Sequence, residues 1–276
     1  MDINDDLLQQ VVMVAKLASD KILSVYNRKS DFNITIKSDS SPLTEADLAA
    51  NRSIIDGLSA IDTSIPILTE ETELPDFTVR QHWSRYWLVD PLDGTKEFIN
   101  RNDEFTVNIA LIQSGIPVLG VVYVPVTEVV YTGLQGYGAR KVERGKAQAI
   151  TVRSLASRID NDLPINIVAS RRHGAAEVDA LCAHIEKKLA SVESRSVGSS
   201  LKICLVAEGQ ADLYPRFGLT SEWDTAAAQA VVEAAGGYVV DHGLKPLRYN
   251  QKESILNPPF HVMGDEVGNW QKVLLS

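Results

Sequence analysis

An apolar run that ends in two closely spaced aspartates restricts the fold of this chain more than any other feature. Residues 86–89 form an apolar run rich in aromatic and β-branched residues, as in a short buried strand, and the run stops at Asp90. Pro91 fixes φ and Gly94 permits tight backbone geometry, so the chain is predicted to turn here. Asp90 and Asp93 are therefore expected at the C-terminal end of a strand, where open α/β sheets bind their ligands.

Two interpretations fit the residues of this turn. If a helix begins near Gly94, its free N–H groups face whatever the two aspartates bind, and such a helix start suits a phosphate. Alternatively, Asp90 and Pro91 form an ordinary turn and Asp93 caps a helix. The local pattern alone does not separate the two.

The acidic composition disfavours some partners and suggests a cofactor. The net charge of −9 argues against nucleic acid and anionic membranes as main partners, because both are bound by basic surfaces. If an acidic protein binds an anionic substrate, local positive charge must be supplied, and a divalent metal ion is the obvious source. No apolar run approaches the roughly 20 residues of a transmembrane segment, and the acidic N-terminus is unlike a signal peptide. A cytoplasmic location is expected.

Hydrophobic periodicity predicts an α+β arrangement in the first half of the chain. Helical stripes cover residues 4–26 and 44–58, and strand-like runs cover 32–36, 65–68, 86–89, 105–112, 118–124 and 128–134. Glycines and prolines between the last three runs indicate an antiparallel meander. Residues 74–82 are predicted to form an exposed, irregular connection.

The second half alternates between strand-like and helical segments. Strands are predicted at 165–169, 192–197, 211–214, 238–241 and 260–263, and helices at 175–189, 199–208, 223–235 and 267–275. This alternation is typical of a layered α/β lobe. A polar stretch places a boundary near residue 150, which predicts an N-terminal α+β lobe (1–150) and a C-terminal α/β lobe (151–276).

Several acidic residues from separate predicted elements could bind a metal. They are Asp47, Glu70, Asp90, Asp93 and Asp224. Oxygen ligands without nearby His or Cys select Mg²⁺ or Mn²⁺ over zinc. Such ions polarise phosphoryl oxygens and activate water, so in-line displacement at phosphorus needs little covalent help from the protein.

Each of these acids also has an ordinary structural interpretation. Asp47 could be the third residue of a helix capped by Thr44. Glu70 could lie at a solvated corner, and Asp224 could be a first-turn acid of its own helix. Spacing alone does not show that these side chains converge.

A multipartite motif resembles a known family. Glu70-Glu71, then Asp90-Pro-Leu-Asp93-Gly-Thr95, then Trp223-Asp224-Thr-Ala-Ala is similar to the motif set of the inositol monophosphatase superfamily of Mg²⁺-dependent, lithium-sensitive phosphatases. The resemblance spans nearly the whole chain. It implies a five-layered αβαβα sandwich.

The resemblance also implies a set of metal ligands. Glu70, Asp90 and the backbone carbonyl of Leu92 would bind a first Mg²⁺, and Asp90, Asp93 and Asp224 a second. Glu70 would share a third, weaker ion, and Mn²⁺ could substitute for Mg²⁺.

The resemblance further implies how the substrate is attacked and held. Thr95 and Asp47 would orient and deprotonate the attacking water, with Glu70 in the same catalytic group. The Thr95 hydroxyl and the amides of Gly94 and Thr95 would hold the phosphate. Leu92, Asp93 and Asp224 would also contact substrate.

Other residues resemble one branch of the superfamily, the CysQ-type 3′(2′),5′-bisphosphate nucleotidases. These are Lys96-Glu-Phe98, Asn102-Asp-Glu-Phe-Thr-Val-Asn108, Ser170-Arg-Arg-His173, Val197-Gly-Ser-Ser-Leu-Lys202 and Tyr214-Pro-Arg216. The branch resemblance implies that a nucleotide bisphosphate is bound by His173, Gly198, Ser199, Lys202 and Arg216. Lys and Arg suit the phosphate that is not cleaved, although either could be an ordinary solvated cation.

The implied activity is Mg²⁺-dependent hydrolysis of 3′-phosphoadenosine 5′-phosphate to AMP and phosphate, as in the clearance of a by-product of sulfate assimilation. The branch is compatible with a cytoplasmic protein or one attached to the cytoplasmic face of the inner membrane. An inositol monophosphatase or related sugar phosphatase is the nearest alternative. A non-catalytic nucleotide or metal sensor on the same fold is another. The sequence does not set the number of subunits.

Overall fold

The computed structural model describes residues 2–28, 34–36, 42–170 and 174–275. The helices in this part of the chain are α1 (Asp5–Tyr26), α2 (Glu45–Ile61), α3 (Phe77–Arg80), α4 (Thr95–Ile99), α5 (Leu155–Asp160), α6 (Ala175–Lys188), α7 (Leu201–Ala207), α8 (Ala226–Ala234) and α9 (Val267–Leu274), with a 3₁₀ turn at Glu222–Asp224. The strands are β1 (Ile34–Ile36), β2 (Pro42–Thr44), β3 (Ile67–Thr69), β4 (Arg85–Asp93), β5 (Thr106–Gln113), β6 (Ile116–Val124), β7 (Val129–Leu134), β8 (Gly138–Glu143), β9 (Lys146–Ile150), β10 (Ile165–Ala169), β11 (Val192–Ser196), β12 (Leu213–Arg216), β13 (Tyr238–Asp241) and β14 (Phe260–Met263).

The described strands form two main sheets. The larger has the order β3-β4-β5-β6-β7-β8-β9, and all of its neighbours are antiparallel except β3 and β4. This confirms the meander predicted for β5 to β7. The smaller sheet has the order β11-β10-β12-β14-β13, with β10 parallel to β11 and β12 and the other two pairs antiparallel. A separate antiparallel pair joins β1 and β2.

The sheets and helices stack in five layers. Helices α1 and α2 cover one face of the larger sheet, and α7 and α8 lie between its other face and the smaller sheet. Helices α6 and α9 cover the outer face of the smaller sheet. The predicted αβαβα sandwich is therefore confirmed.

The larger sheet is buried on both faces, which explains its continuous apolar sequence runs. In β4, Trp87 and Val89 belong to the core beneath α1 and α2. Tyr86 and Leu88 point to the opposite core, beneath α7 and α8.

Helix α8 lies unusually close to the larger sheet because both surfaces carry small residues. A Cβ atom on Gly120 would be only 2.1 Å from the carbonyl oxygen of Ala227. One on Gly133 would be 2.4 Å from the carbonyl oxygen of Ala230. Larger side chains at these two strand positions would push the helix away from the sheet.

The prediction that the strand stops at Asp90 is wrong. Strand β4 continues to Asp93, and its register against β5 shifts between Asp90, which lies opposite Asn108, and Asp93, which lies opposite Thr106. The irregularity is a bulge that accommodates Pro91 without ending the strand.

The exposed, irregular connection predicted at 74–82 is also wrong in part. It contains α3, whose Arg80 is fully buried. The guanidinium of Arg80 donates to Asn250 Oδ1 and to the carbonyl oxygens of Lys252 and Glu253. Backbone and amide acceptors satisfy its two terminal nitrogens, whereas its Nε is buried without a hydrogen-bond partner.

The boundary near residue 150 stays a prediction. The change from the larger to the smaller sheet falls between Ile150, where β9 ends, and Ile165, where β10 begins. Helix α8 nevertheless contacts strands of both sheets, and residues of α7 belong to the same hydrophobic cluster. None of the helices in the described part of the chain is long and apolar enough to cross a membrane.

Candidate active site

The bulge in β4 places a buried carboxylate among other acids. Asp90 is 1% exposed, and its Oδ1 accepts a hydrogen bond of 3.0 Å from the backbone amide of Leu92. Burial raises the pKa of Asp90 well above its usual value, and the nearby charges of Glu70, Asp93 and Asp224 raise it further. These charges act on Asp90 because the four carboxylates lie near one another.

Asp224 reaches the same region from the 3₁₀ turn before α8. Its Oδ2 accepts a hydrogen bond of 2.9 Å from the amide of Ser221, so the carboxylate also caps this turn. Burial raises the pKa of Asp224 well above its usual value, and the charges of Asp93 and Glu70 raise it further. Glu70 follows β3, and its amide donates to the carbonyl oxygen of Val89 at 3.2 Å.

The donor set of this region fits a hard divalent cation. Several carboxylates lie near one another, Asp90 is buried, and mutual repulsion adds to the rise in the pKa of Asp90 and of Asp224. A bound cation would remove that repulsion, and oxygen ligands are those that Mg²⁺ prefers. Within the described residues, no group of three or more His, Cys, Asp or Glu side chains already has an arrangement that could hold a metal ion. The carboxylates of Asp90, Asp93 and Asp224 are instead hydrogen-bonded to donors of the protein.

Asp93 is the clearest example of a carboxylate that is hydrogen-bonded to donors of the protein. Its Oδ2 accepts hydrogen bonds of 2.6 Å from both the amide and the hydroxyl of Ser200, and a longer one of 3.3 Å from Asn108. The Ser200 hydroxyl is also 2.8 Å from the carbonyl oxygen of Asp224. Ser200 therefore joins two of the predicted ligands, a role that the sequence interpretation missed although the residue lies within a quoted motif.

Asp47 both caps α2, as the structural interpretation predicts, and contacts Thr95, as the functional interpretation requires. Its Oδ2 accepts from the Thr44 amide at 2.8 Å and from the Thr44 hydroxyl at 2.5 Å, which completes a capping box at the start of α2. Its Oδ1 accepts from the Thr95 hydroxyl at 3.1 Å. Burial raises the pKa of Asp47, and the hydrogen bonds from Thr44 and Thr95 oppose this rise.

The predicted helix start is present after Gly94. Gly94 has φ of +94°, a conformation that favours glycine, and α4 begins at the next residue. The hydroxyl of Thr95 lies 3.3 Å from the carbonyl oxygen of Leu92, a predicted metal ligand. Leu92 itself is buried.

A cleft opens beside this region and gathers many of the predicted substrate contacts. Its lining includes Asp93, Gly94, Gly198, Ser199, Lys202, Arg216 and Asp224. Residues that the interpretation did not assign also line it, among them Ser170, Tyr214, Thr220, Thr225 and Phe260. Ser170 and Tyr214 lie in motifs that resemble the bisphosphate nucleotidase branch, whereas no local sequence pattern indicates a binding role for Thr220 or Phe260. His173, a predicted contact, lies outside the described residues.

Lys202 is not the solvated cation that a helix-surface lysine would be. The residue is 6% exposed, and its ammonium donates to the carbonyl oxygens of Val197 at 3.2 Å and Ser199 at 2.6 Å. The pKa of Lys202 is lowered to about 8, mainly by burial; the nearby charge of Arg216 contributes to the decrease, and nearby carboxylates, Asp93 foremost, oppose it. Its charge is therefore held in the cleft at neutral pH.

Arg216 is likewise buried, at the end of β12. Its Nε donates to the carbonyl oxygen of Gly218 at 3.0 Å and its Nη2 to that of Leu219 at 2.9 Å. Arg216 thus shapes the loop after β12 in addition to lining the cleft.

The loop before α7 is held from several sides. The Gly198 amide donates to Glu104 Oε2 at 2.6 Å. A Cβ atom on Gly198 would lie 2.8 Å from Cγ of Glu97, so a larger residue would crowd this position. Ser199 has φ of +45°, which is uncommon for a residue other than glycine.

Comparison with known proteins places the chain in a family. The model of the inositol monophosphatase family matches residues 4–268, so the chain belongs to this family. It is 51% identical over 256 residues to the 3′(2′),5′-bisphosphate nucleotidase CysQ of Escherichia coli O6:H1, a match that covers 93% of this chain and 99% of the relative. The CysQ protein of Haemophilus influenzae is 35% identical, covering 99% of this chain and 98% of the relative.

Solved structures agree with the observed architecture. CysQ from Bacteroides thetaiotaomicron, described as a bacterial member of the inositol monophosphatase family, superposes with a TM-score of 0.79 at 45% identity, covering 94% of this chain and 97% of the other. An inositol monophosphatase from Anabaena superposes with a TM-score of 0.75 at 23% identity, covering 98% of this chain and 96% of the other, and shows the shared fold.

Proposed function

We propose that this protein is a Mg²⁺-dependent 3′(2′),5′-bisphosphate nucleotidase that hydrolyses 3′-phosphoadenosine 5′-phosphate to AMP and phosphate. The observation that carries the proposal is a cleft lined both by the carboxylates of Asp93 and Asp224 and by two buried cations, Lys202 and Arg216. The similarity to proteins named as 3′(2′),5′-bisphosphate nucleotidases, 51% identical over 93% of the chain in one case, supports the choice of substrate.

The carboxylates would hold the metal. Glu70, Asp90 and the carbonyl oxygen of Leu92 are the proposed ligands of one Mg²⁺, and Asp90, Asp93 and Asp224 those of a second. A third ion at Glu70 and the substitution of Mn²⁺ belong to the same proposal. When bound, Mg²⁺ would polarise the phosphoryl group and activate the attacking water.

Thr95 and Asp47 would handle the proton of that water. The Thr95 hydroxyl already donates to Asp47 Oδ1 at 3.1 Å, so a proton can pass from the water to Thr95 and on to Asp47. The pKa of Asp47 is raised by burial, which makes its carboxylate a better proton acceptor. Its other oxygen remains fixed by the α2 cap, so the accepting oxygen keeps its position.

The two buried cations of the cleft would recognise the phosphate that is not cleaved. Lys202 and Arg216 supply positive charge in a buried setting, where it interacts more strongly than at the surface. Gly198 and Ser199 would contact the nucleotide through the loop before α7, and Gly94 and Thr95 would hold the reacting phosphate. His173 completes the proposed contacts. We expect this activity in the cytoplasm or at the cytoplasmic face of the inner membrane.

The test is phosphate release from 3′-phosphoadenosine 5′-phosphate and inositol 1-phosphate, each with Mg²⁺ and with EDTA. We expect EDTA-sensitive cleavage of the nucleotide and little cleavage of the inositol phosphate. Preference for inositol 1-phosphate would be compatible with the proposed metal sites but would reject the nucleotide as the substrate. No cleavage of either compound would favour a non-catalytic nucleotide or metal sensor. Asp93→Asn should abolish turnover, and a fully active variant would reject the proposed metal ligands.

A further inference from the structure

The turn that carries Asp224 is held in place by a distant segment, residues 249–257. The turn spans only Glu222–Asp224, too short to be stable alone. The amide of Glu222 donates to the carbonyl oxygen of Ile255 at 2.8 Å, and the amide of Asn257 donates to that of Thr220 at 2.8 Å. The two segments thus pair by backbone hydrogen bonds beside the cleft.

The side chain of Asn257 connects both flanks of Asp224. It is buried, and its Nδ2 lies 2.8 Å from the carbonyl oxygen of Ser221 and 3.0 Å from the hydroxyl of Thr225. The same nitrogen is 3.1 Å from the hydroxyl of Thr220. Ser221 in turn donates its amide to Asp224 Oδ2, so Asn257 fixes the residue that orients this carboxylate.

Segment 249–257 is itself anchored to the body of the protein. The amide of Asn250 donates to Glu222 Oε2 at 2.9 Å, and the Asn250 side chain donates to the carbonyl oxygen of Arg80 at 2.6 Å. The Tyr249 hydroxyl is 3.0 Å from that of Thr225. The turn is therefore tied to α3 through buried hydrogen bonds of Asn250 with Glu222 and Arg80.

We propose that Asn257 is a positioning residue for Asp224, and that it sets the affinity for Mg²⁺ by holding this carboxylate in its binding orientation. The inference rests on the proposed function, in which Asp224 is a metal ligand. Groups that orient metal ligands commonly change affinity by 10- to 100-fold when they are removed. Since Asn257 acts through the neighbours of Asp224, an effect of about tenfold is expected.

Calorimetric titration of Mg²⁺ into the metal-free protein tests this without relying on turnover. Asn257→Ala should bind Mg²⁺ about tenfold more weakly, and the half-saturating Mg²⁺ concentration for activity should rise by the same factor. The KM for nucleotide at saturating Mg²⁺ should stay close to the wild-type value. Thr225→Val, which removes the hydroxyl on the other flank, should weaken Mg²⁺ binding in the same direction, whereas Thr225→Ser should retain it.

Ile185→Val is the control for stability alone, because Ile185 is fully buried in the core beneath α6, remote from the cleft. It should lower the melting temperature and leave Mg²⁺ binding unchanged. If Asn257→Ala and Thr225→Val bind Mg²⁺ like the wild type, the positioning role is rejected, even where the melting temperature falls. If the wild type itself binds no Mg²⁺, the proposed function fails and the inference fails with it.

Discussion

Burial makes the charge of the Lys202 side chain depend on pH in the slightly alkaline range. Its pKa is lowered to about 8 chiefly by burial, so the ammonium loses its proton as the pH rises through that value. If the ammonium binds the phosphate that is not cleaved, kcat/KM for 3′-phosphoadenosine 5′-phosphate should fall as the pH rises above about 8, because kcat/KM reports the free enzyme. A pH series of initial rates measures this.

Lys202→Met is the matched variant. It should lower kcat/KM for the bisphosphate by roughly 10- to 100-fold, the effect of losing one charged hydrogen bond, and abolish the decline above about pH 8. Adenosine 3′-phosphate, which lacks the second phosphate, should respond much less to the substitution. An equal loss of kcat/KM on both substrates would instead show that Lys202 acts by holding its loop in position and not by binding the second phosphate.

Asp47 allows its two roles to be separated by one substitution. Asp47→Asn retains an oxygen for the α2 cap and removes the charge that accepts a proton from Thr95. Turnover should fall by about 10²- to 10⁴-fold, the usual contribution of a general base, with little change in thermal stability. Thermal melts and steady-state rates measured on one preparation test this, and undiminished turnover would contradict the role in proton transfer.

At the scale of elements, the contact between α8 and the larger sheet depends on the absence of side chains. A methyl group on Gly120 or Gly133 would overlap the α8 backbone, as the short distances to Ala227 and Ala230 show. Gly120→Ala and Gly133→Ala should each destabilise the protein by about 1–3 kcal/mol or more, the cost of an overpacked core. Urea unfolding monitored by circular dichroism measures the free energy.

Gly268→Ala is the control for that prediction. A Cβ atom at Gly268, within α9, meets no heavy atom within 4 Å. Alanine is the better helix former, so this change should stabilise the protein by up to about 1 kcal/mol. Similar destabilisation at all three glycines would mean that the close approach of α8 is not the cause.

Elements with strong apolar periodicity could be predicted from the sequence, and polar ones could not. The pattern of α1 and the strands of the meander follows directly from burial. Strands β8 and β9 were missed because their side chains are mostly exposed, so no apolar pattern marks them. The extension of β4 past Pro91 and the burial of Arg80 depend on partners far away in the chain, which local periodicity does not contain.

In the candidate site, too, some features could be predicted from the sequence and others could not. The acids were recognisable as a set only through the resemblance of several motifs taken together, since each had an ordinary local role. Asp47 fills its predicted local role in the cap of α2, whereas Asp224 caps the 3₁₀ turn before α8 and does not lie in the first turn of that helix. The part played by Ser200 could not be predicted, because it depends on β4 and the turn before α8 meeting at one hydroxyl.

For the whole molecule, the buried carboxylates link stability, pH and metal. The native pKa values of Asp90 and Asp224 are raised by burial and mutual repulsion. Between the unfolded and native pKa values the native state holds protons that the unfolded chain has released, so the metal-free protein loses stability as the pH rises from about 4. Mg²⁺ should restore this loss, since it binds the ionised carboxylates.

The melting temperature of EDTA-treated protein should therefore rise on addition of Mg²⁺, and more at about pH 7.5 than at about pH 5. At 100 times its dissociation constant a ligand contributes about 2.7 kcal/mol, which for a chain of this size is a shift of several degrees. Differential scanning fluorimetry with NaCl of matched ionic strength as the control tests this. An equal shift at both pH values would show that these carboxylates do not bind the ion.

The two sheets of the sandwich also set how such a protein can diversify. Most of the proposed chemistry is attached to β4 and the larger sheet, whereas Gly198, Lys202 and Arg216 come from loops and elements of the smaller sheet and the middle layer. Substitutions on that second side can change which molecule is recognised, provided that they spare Ser200 and Asp224, which come from the same side. Proteins built on this plan can change the phosphate ester that they hydrolyse through substitutions among the cleft residues of the smaller sheet and the middle layer.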